Sequence, residues 1–121
     1  MSGNRLVMSI REALRGLRSV WTSEQNFRFQ TAAVLVAVVA SFLLPLTSSE
    51  QAIVILASVG VLLLELGNTI VERLLDLLKP RLHQYVRLIK EVTAGAVLLL
   101  AVTAALVWLI IFYPHFIRLW K

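Results

Sequence analysis

Four polar side chains recur at helical spacing within an otherwise apolar stretch of the chain. They are Glu65, Asn68, Glu72 and Asp76. At ~100° per residue they fall within a sector of about 80°, so three carboxylates and one carboxamide share one stripe of a helix. Carboxylate and amide oxygens are the hard ligands that Mg²⁺ takes, usually with substrate phosphates completing its coordination shell. A carboxylate can also orient or deprotonate an attacking hydroxyl group.

The residues around this stripe place it in a membrane segment. An apolar run, residues 52–64, precedes Glu65 without a break signal, and we interpret both stretches as one helix. An ionisable group inside a membrane costs about 2.5–3.5 kcal/mol on insertion scales, so the stripe should face protein, water or a metal ion. The alternative is a helix that leaves the membrane with Glu72 and Asp76 solvated at its end. That alternative fits Asp76 best and Glu65 worst.

The composition indicates an integral membrane protein of one domain. Of the 121 residues, 59% are hydrophobic and only 16% are charged, which is below the usual share for a soluble protein. The net charge is +5, but no run of basic residues with interleaved aromatics is present, so no nucleic-acid partner is expected. The sequence has no cysteine, which excludes disulfides, thiolate metal sites and cysteine nucleophiles. The two common glycine-rich phosphate-binding motifs are also absent.

Hydrophobic periodicity predicts an all-α fold that consists of one amphipathic helix and three membrane helices. The predicted ranges are 5–21 for the amphipathic helix and 26–46, 52–78 and 90–113 for the membrane helices. Arg11, Arg15 and Arg18 cluster on one flank of the first helix. A soluble helix could carry this pattern, but beside membrane spans it favours an interfacial helix with its arginines toward anionic headgroups.

Prolines and short polar stretches predict where these helices end and begin. The predicted stops are Pro45, Lys79-Pro80 and Pro114. The candidate capping boxes are Thr22 with Gln25, and either Thr47 with Glu50 or Ser48 with Gln51. In the first pattern Glu24 occupies a first helical turn, so favourable interaction with the helix dipole is its structural alternative to a functional role.

The distribution of basic residues predicts the orientation of the chain in the membrane. Five precede or begin the first membrane helix, none lies in the next connection, five lie in residues 73–90, and two lie in the tail. The positive-inside rule places the N-terminus and the second connection in the cytoplasm. The acidic stripe, Glu24 and Lys90-Glu91 then approach the cytoplasmic face, where nucleotides are. Trp108, Tyr113 and Trp120 fit an interfacial aromatic belt.

The residues near this boundary have the chemistry of phosphoryl transfer. Carboxylates can hold Mg²⁺, and a lysine such as Lys90 can neutralise phosphate oxygens as a phosphoryl group moves. A further carboxylate can orient or deprotonate the acceptor hydroxyl. At a lipid interface, such a set suits transfer of a phosphoryl group to a lipid alcohol.

Three segments of the chain resemble the small prokaryotic diacylglycerol kinase family. Residues 65–76, ELGNTIVERLLD, resemble its ExxN[ST]xxExxxD signature, and residues 24–28, EQNFR, resemble its ExNFR segment. His83 followed by Lys90-Glu91 and the stretch VTAGAVL resembles its H…AKDxAAGAVL segment. The resemblance covers nearly the whole chain in order, and the three motifs together are specific. The departures are Glu91 in place of the usual aspartate, and the residues Gly67 and Ile70 within the signature.

The resemblance implies an integral-membrane homotrimer of the bacterial inner membrane, with active sites between subunits. It implies transfer of the ATP γ-phosphate to a lipid hydroxyl, with Mg²⁺ as cofactor. The implied catalytic base is Glu65, and the implied metal ligands are Glu24 and Glu72. The implied nucleotide contacts are Asn68, Glu72, His83, Lys90 and Glu91, and the implied lipid contacts are Glu65, Ala94 and Trp108.

The resemblance leaves two alternatives for the lipid acceptor. One branch of the family phosphorylates diacylglycerol and the other prefers undecaprenol. Two stretches of this chain, Lys79-Pro80 before His83 and the ending at residues 110–114, resemble the undecaprenol branch.

Two other functional classes are compatible with part of the pattern. A small proton-coupled transporter or channel would use Glu65 and Glu72 as coupling sites, but it leaves Lys90-Glu91, Glu24 and the surface helix unexplained. A membrane-assembly protein would use the small residues of the third membrane helix and would leave the carboxylates without a role. His83 and His115 could be metal ligands, but they can also be interpreted as ordinary polar residues near an interface.

Overall fold

The computed structural model describes residues 2–78 and 83–120, and these residues form four helices. They are α1 (Ser2–Ser23), α2 (Gln25–Leu43), α3 (Ser48–Asp76) and α4 (His83–Trp120). Helices α2, α3 and α4 are each long and apolar enough to cross a membrane. The predicted all-α fold, with one amphipathic helix and three membrane helices, is confirmed. The predicted stop at Lys79-Pro80 lies outside the described residues.

Helix α3 is the central element because it packs against both α2 and α4. One core cluster joins the three helices through Ala37, Val54 and Ile111, with Leu46 and Phe112 among the residues packed against it. Most large apolar side chains of α2, α3 and α4 remain exposed on the outside of the single chain. Such surfaces suit a bilayer, whose lipid tails are as apolar as leucine.

Helix α1 meets the rest of the chain mainly through its C-terminal turn. Val20 is buried there, and the ring of Trp21 contacts the edge of Phe27 with 6.4 Å between centroids. The apolar face farther toward the N-terminus, including Leu6 and Leu14, is exposed. This arrangement fits an amphipathic helix lying along a membrane surface.

The predicted capping box at the start of α3 is formed by Thr47 and Glu50. The Thr47 hydroxyl accepts a hydrogen bond from the Glu50 backbone N–H at 3.1 Å, and the Glu50 carboxylate accepts one from the Thr47 N–H at 3.0 Å. This reciprocal pair satisfies two backbone donors that a helix start leaves without partners. The helix therefore begins at Ser48, before the predicted membrane range.

The predicted capping box of Thr22 with Gln25 is wrong. Helix α1 continues to Ser23, so Thr22 is still helical and its hydroxyl donates to the Ser19 carbonyl at 3.0 Å. The N-cap of α2 is Glu24, whose side chain makes no capping hydrogen bond within the described chain. The carboxylate of Glu24 is therefore not used for capping.

Prolines had different effects at two predicted helix ends. Helix α2 ends at Leu43, and Leu44 is extended (φ −91°, ψ 154°), as expected for a residue directly before a proline. The prediction that Pro114 ends the last helix is wrong, because α4 continues through it to Trp120. A proline is tolerated inside a membrane helix where neighbouring groups and local adjustment satisfy the freed backbone carbonyl.

Candidate active site

The polar stripe of α3 runs from a buried end to an exposed end. Glu65 is 5% exposed, Asn68 and Glu72 are half-buried, and Asp76 is exposed. The neighbouring Thr69 is also buried, and its hydroxyl donates to the Glu65 carbonyl at 3.1 Å. The buried end of the stripe therefore faces protein rather than lipid, so the alternative of a solvated helix end does not apply to Glu65.

Two further carboxylates, one from the α1–α2 break and one from α3, lie near that of Glu65. The carboxylates of Glu24, at the break between α1 and α2, and of Glu72 are close enough to interact electrostatically with that of Glu65. The Gln30 side chain of α2 also lies close enough to Glu65 to interact with its carboxylate. Like charges in a partly buried site repel each other unless a cation or a proton offsets them. The site is therefore suited to a bound cation.

Asn68 adds an oxygen to this group. Its amide nitrogen donates to the Glu72 carboxylate at 3.4 Å, and its amide oxygen is buried without a hydrogen-bond partner among the described residues. An unsatisfied buried polar atom costs about 1–3 kcal/mol, so a partner for it is expected in the working protein. A carbonyl oxygen beside a carboxylate fits Mg²⁺, which takes hard oxygen ligands.

The described part of one chain does not provide a complete metal shell. No group of three or more His, Cys, Asp or Glu side chains that could hold a metal is found within residues 2–78 and 83–120. Mg²⁺ usually takes only one or two protein carboxylates and fills its shell with water and substrate phosphates. Glu24, Glu72 and the Asn68 amide oxygen therefore fit Mg²⁺ bound together with a phosphate substrate.

A groove of about 420 Å³ lies between α3 and α4 beside these residues. It brings together five residues that the sequence had assigned to nucleotide or lipid binding. They are Glu72 from α3 and His83, Lys90, Glu91 and Ala94 from α4. Glu24 and Asn68 do not line this groove in the described single chain, although Asn68 reaches it indirectly through its bond to Glu72.

Two ion pairs fix the cations of this groove. The Lys90 ammonium donates to the Asp76 carboxylate at 2.8 Å, and the Arg87 guanidinium donates to Glu91 at 3.3 Å. The first pair joins α4 to the last turn of α3, so Lys90 is held at the open end of the stripe. Both pairs are largely exposed, and each contributes little to stability. They hold the two basic side chains in the groove beside carboxylates.

Sequence reasoning missed Arg87 as a residue of this groove. It lines the groove together with Lys90 and supplies a second positive charge. A guanidinium binds phosphate oxygens in a planar fork, which a lysine cannot do. Its spacing could have indicated this position in the groove, because Arg87 lies about one helical turn before both Lys90 and Glu91.

Sequence reasoning also missed Gln30. Its amide oxygen is buried and has no hydrogen-bond partner in the part of the chain that the structure describes. Gln30 borders a cavity of about 200 Å³ between α2, α3 and α4, which is otherwise lined mainly by apolar side chains. Since Gln30 also contacts Glu65, it lies between the buried carboxylate and this apolar cavity. The available signal was a carboxamide within a predicted membrane helix.

Trp108 is half-buried and its indole contacts α3, whereas its assignment to an interfacial aromatic belt stays a prediction. Its indole N–H donates to the hydroxyl of the fully buried Ser58 at 2.9 Å, and its ring lines the same apolar cavity as Gln30. A buried tryptophan N–H needs such a partner, and Ser58 supplies it within the protein. Tyr113 and Trp120 are exposed and remain candidates for the belt.

Comparison with known proteins identifies the class of this chain. The prokaryotic diacylglycerol kinase family model matches residues 11–112. An undecaprenol kinase from Bacillus subtilis is 35% identical over 111 residues, which cover 92% of this chain and 90% of that protein. A diacylglycerol kinase from Escherichia coli (strain K12) is 28% identical over 112 residues, which cover 93% and 92% respectively. A diacylglycerol kinase from Synechocystis is 35% identical over 103 residues, which cover 84% of this chain and 59% of that protein.

The chain belongs to the prokaryotic diacylglycerol kinase family. It is therefore a lipid kinase, and the family resemblance found in the sequence is confirmed. A lipid kinase uses ATP and a lipid acceptor. The alternative of a proton-coupled transporter or channel is disfavoured, because it does not explain the family match.

Proposed function

We propose that the protein transfers the γ-phosphate of Mg·ATP to the hydroxyl of a membrane lipid alcohol, either diacylglycerol or undecaprenol. The observation that carries this proposal is the buried carboxylate of Glu65, which belongs to a helix long and apolar enough to cross a membrane and lies near two further carboxylates. One of them, Glu72, also lines the groove between α3 and α4 that contains Arg87 and Lys90. A lipid hydroxyl and a nucleotide phosphate can therefore approach the same carboxylate cluster from opposite sides.

The groove between α3 and α4 is the proposed nucleotide site. Lys90 and Arg87 supply positive charge for the phosphate oxygens, and Asp76 holds the Lys90 ammonium in place. His83, at the first residue of α4, and Glu91 line the same groove and are the proposed contacts for the rest of the nucleotide. Phosphoryl transfer depends mostly on such positioning and on charge stabilisation.

Glu24 and Glu72 are the proposed ligands of Mg²⁺, with the unpaired amide oxygen of Asn68 as a third oxygen. Bound Mg²⁺ would neutralise the charge that develops on the phosphate oxygens. Before the metal binds, the negative charges of Glu24 and Glu72 repel that of Glu65, which is energetically unfavourable.

Glu65 is the proposed base. Its carboxylate accepts the hydroxyl proton of the lipid, the hydroxyl oxygen bonds to the γ-phosphorus, and ADP departs with the electrons of the broken P–O bond. Gln30, which lies close enough to interact with this carboxylate, is proposed to help orient it. The apolar cavity bordered by Gln30 and Trp108 is the proposed place for the carbon atoms next to the hydroxyl, and Ala94 remains a proposed lipid contact at the groove.

The assembly and orientation are also proposals. A homotrimer would cover part of the exposed apolar helix surface, and a neighbouring subunit could complete the carboxylate cluster, for which the described residues of one chain provide only a partial metal shell. The excess of basic residues at the N-terminus and in residues 73–90 supports a cytoplasmic N-terminus in the bacterial inner membrane.

Sequence identity alone does not select the acceptor lipid. The relatives at 35% identity include one named undecaprenol kinase and one named diacylglycerol kinase. The resemblance of residues 110–114 and of Lys79-Pro80 to the undecaprenol branch favours undecaprenol, and we treat both lipids as test substrates.

The experiment uses the purified, detergent-solubilised protein with Mg·ATP and either diacylglycerol or undecaprenol in mixed micelles. The lipid phosphate is measured directly, and the ratio of kcat/KM for the two alcohols identifies the acceptor. Glu65→Gln protein, purified in the same way, is the control for contaminating kinases. Turnover that is absent with both alcohols, or that is equal in the control, would refute the proposal.

A further inference from the structure

Glu24 lies at the break between α1 and α2, and contacts with neighbouring residues hold this break in position. Glu24 is extended (φ −117°, ψ 108°), and its N–H donates to the Val20 carbonyl at 2.8 Å. The direction in which the Glu24 carboxylate points depends on how α1 is held relative to α2 and α3. Two arginines from these two helices make that connection.

Arg73 of α3 joins the break to the helix that carries the acidic stripe. Its guanidinium donates to the Ser23 hydroxyl at 3.0 Å, and the two residues are 50 positions apart in sequence. Ser23 directly precedes Glu24, and Arg73 directly follows Glu72. The bond therefore joins the immediate neighbours of the two proposed Mg²⁺ ligands.

Arg28, in the first two turns of α2, holds the same break from the other side. Its guanidinium donates to the carbonyl of Trp21 at 2.6 Å and to that of Thr22 at 3.4 Å. These carbonyls lie in the last turn of α1, where a helix leaves its carbonyls without intrahelical partners. A cation at a helix C-terminus is also favoured by the helix dipole. Arg28 therefore fixes the end of α1, and Arg73 fixes its distance from α3.

We propose that Arg73 is a positioning residue that holds Glu24 beside Glu72 through Ser23, and thereby lowers the Mg²⁺ concentration that the protein requires. The inference rests on the proposed roles of Glu24 and Glu72 as metal ligands. A single hydrogen bond of this kind changes an equilibrium by roughly three- to tenfold. That factor is the expected rise in the Mg²⁺ requirement when the bond is lost.

Matched variants separate this bond from a simple effect of charge. Arg73→Ala removes the donor and its charge, whereas Ser23→Ala removes only the acceptor and leaves the charge of Arg73 in place. The double variant tests whether the two changes act through one interaction. Arg15→Ala is the control, because it removes the same charge from an exposed position on α1.

Two measurements on the intact protein are informative. The first is the free Mg²⁺ concentration for half-maximal activity at saturating ATP. The second uses hydrogen–deuterium exchange of the backbone amides in residues 22–26, without ligand and during titration with Mg²⁺ and a non-hydrolysable ATP analogue. This second measurement reports on ligand binding and on how readily the backbone of the α1–α2 break opens, and it does not depend on catalysis.

Arg73→Ala and Ser23→Ala should each raise the half-maximal Mg²⁺ concentration by roughly three- to tenfold in both measurements, with faster exchange in the unliganded protein. The double variant should be no worse than either single one, and Arg15→Ala should match the wild type. An effect of Arg73→Ala alone, additive effects, or unchanged exchange would overturn the inference. Faster exchange without a change in the Mg²⁺ requirement would also overturn it. A wild-type protein that phosphorylates neither lipid alcohol would refute the proposed function, and the exchange titration would still test the inference.

Discussion

Replacing Glu65 with glutamine separates the two roles proposed for the acidic stripe. The substitution keeps the size of a side chain that is 5% exposed and keeps an oxygen that can interact with the nearby Gln30 amide. It removes one of three negative charges that repel each other, so the thermal melting temperature without Mg²⁺ should not fall below that of the wild type. The fold and the packing around α3 should therefore survive.

The expected loss is in the chemical step. A glutamine at this position cannot accept the proton of the attacking hydroxyl, and general acid–base groups contribute about 10²–10⁴-fold in rate. The kcat of Glu65→Gln should therefore fall by about 10²-fold or more, which is roughly 2.7 kcal/mol of transition-state stabilisation. The KM for Mg·ATP should change little, since the group acts mainly in the transition state.

Glu72→Gln is the matched variant, because the same chemical change is made two turns farther along the same helix. Loss of a metal ligand weakens ground-state binding, so this variant should raise the Mg²⁺ or Mg·ATP requirement. The assay is steady-state lipid phosphorylation with Mg²⁺ and ATP varied independently, with size-exclusion profiles and thermal melts to confirm folding.

Two results would refute the assignment of Glu65. If the folded Glu65→Gln protein keeps a kcat near that of the wild type, Glu65 is not the base. If the variant chiefly weakens the use of Mg²⁺, Glu65 is a metal ligand and the base lies elsewhere. Asp76 and Glu91 are the next candidates, although each already forms an ion pair with a cation of the groove.

Three further outcomes are expected. Reporter fusions at the N-terminus and between α3 and α4 should read cytoplasmic, and a fusion at Ser49 should read external; a cytoplasmic Ser49 reporter would contradict the orientation derived from the basic residues. Inactive Glu24→Ala and Glu72→Ala subunits, mixed during assembly, should regain some activity if sites are shared between subunits, and no recovery at any ratio in confirmed trimers would count against shared sites. Trp108→Phe should lower the free energy of unfolding by about 1 kcal/mol through loss of the bond to Ser58, as measured by thermal melts, whereas an unchanged melting temperature would show that the bond contributes nothing.

Local features of the fold were predictable because they depend on residues close together in the chain. The capping box of Thr47 and Glu50 depends on a spacing of three residues, and the end of α2 depends on the restriction that Pro45 places on Leu44. The wrong prediction of a capping box at Thr22 also concerns a local choice between two backbone partners of its hydroxyl. Because α1 is longer than predicted, this hydroxyl bonds to the carbonyl of Ser19. Pro114 differs, because whether a proline ends a membrane helix depends on its surroundings.

The membrane class, the number of helices and the acidic stripe were determined by the sequence alone, because apolar length and helical periodicity are properties of a single segment. The family motifs likewise pointed to lipid phosphorylation without any coordinates. The tertiary structure alone showed that Gln30 contacts Glu65, that Trp108 turns inward to Ser58, and that Arg73 reaches Ser23. These contacts join residues of different helices, and their geometry depends on how the helices pack against one another, which the spacing of residues along any one helix does not specify.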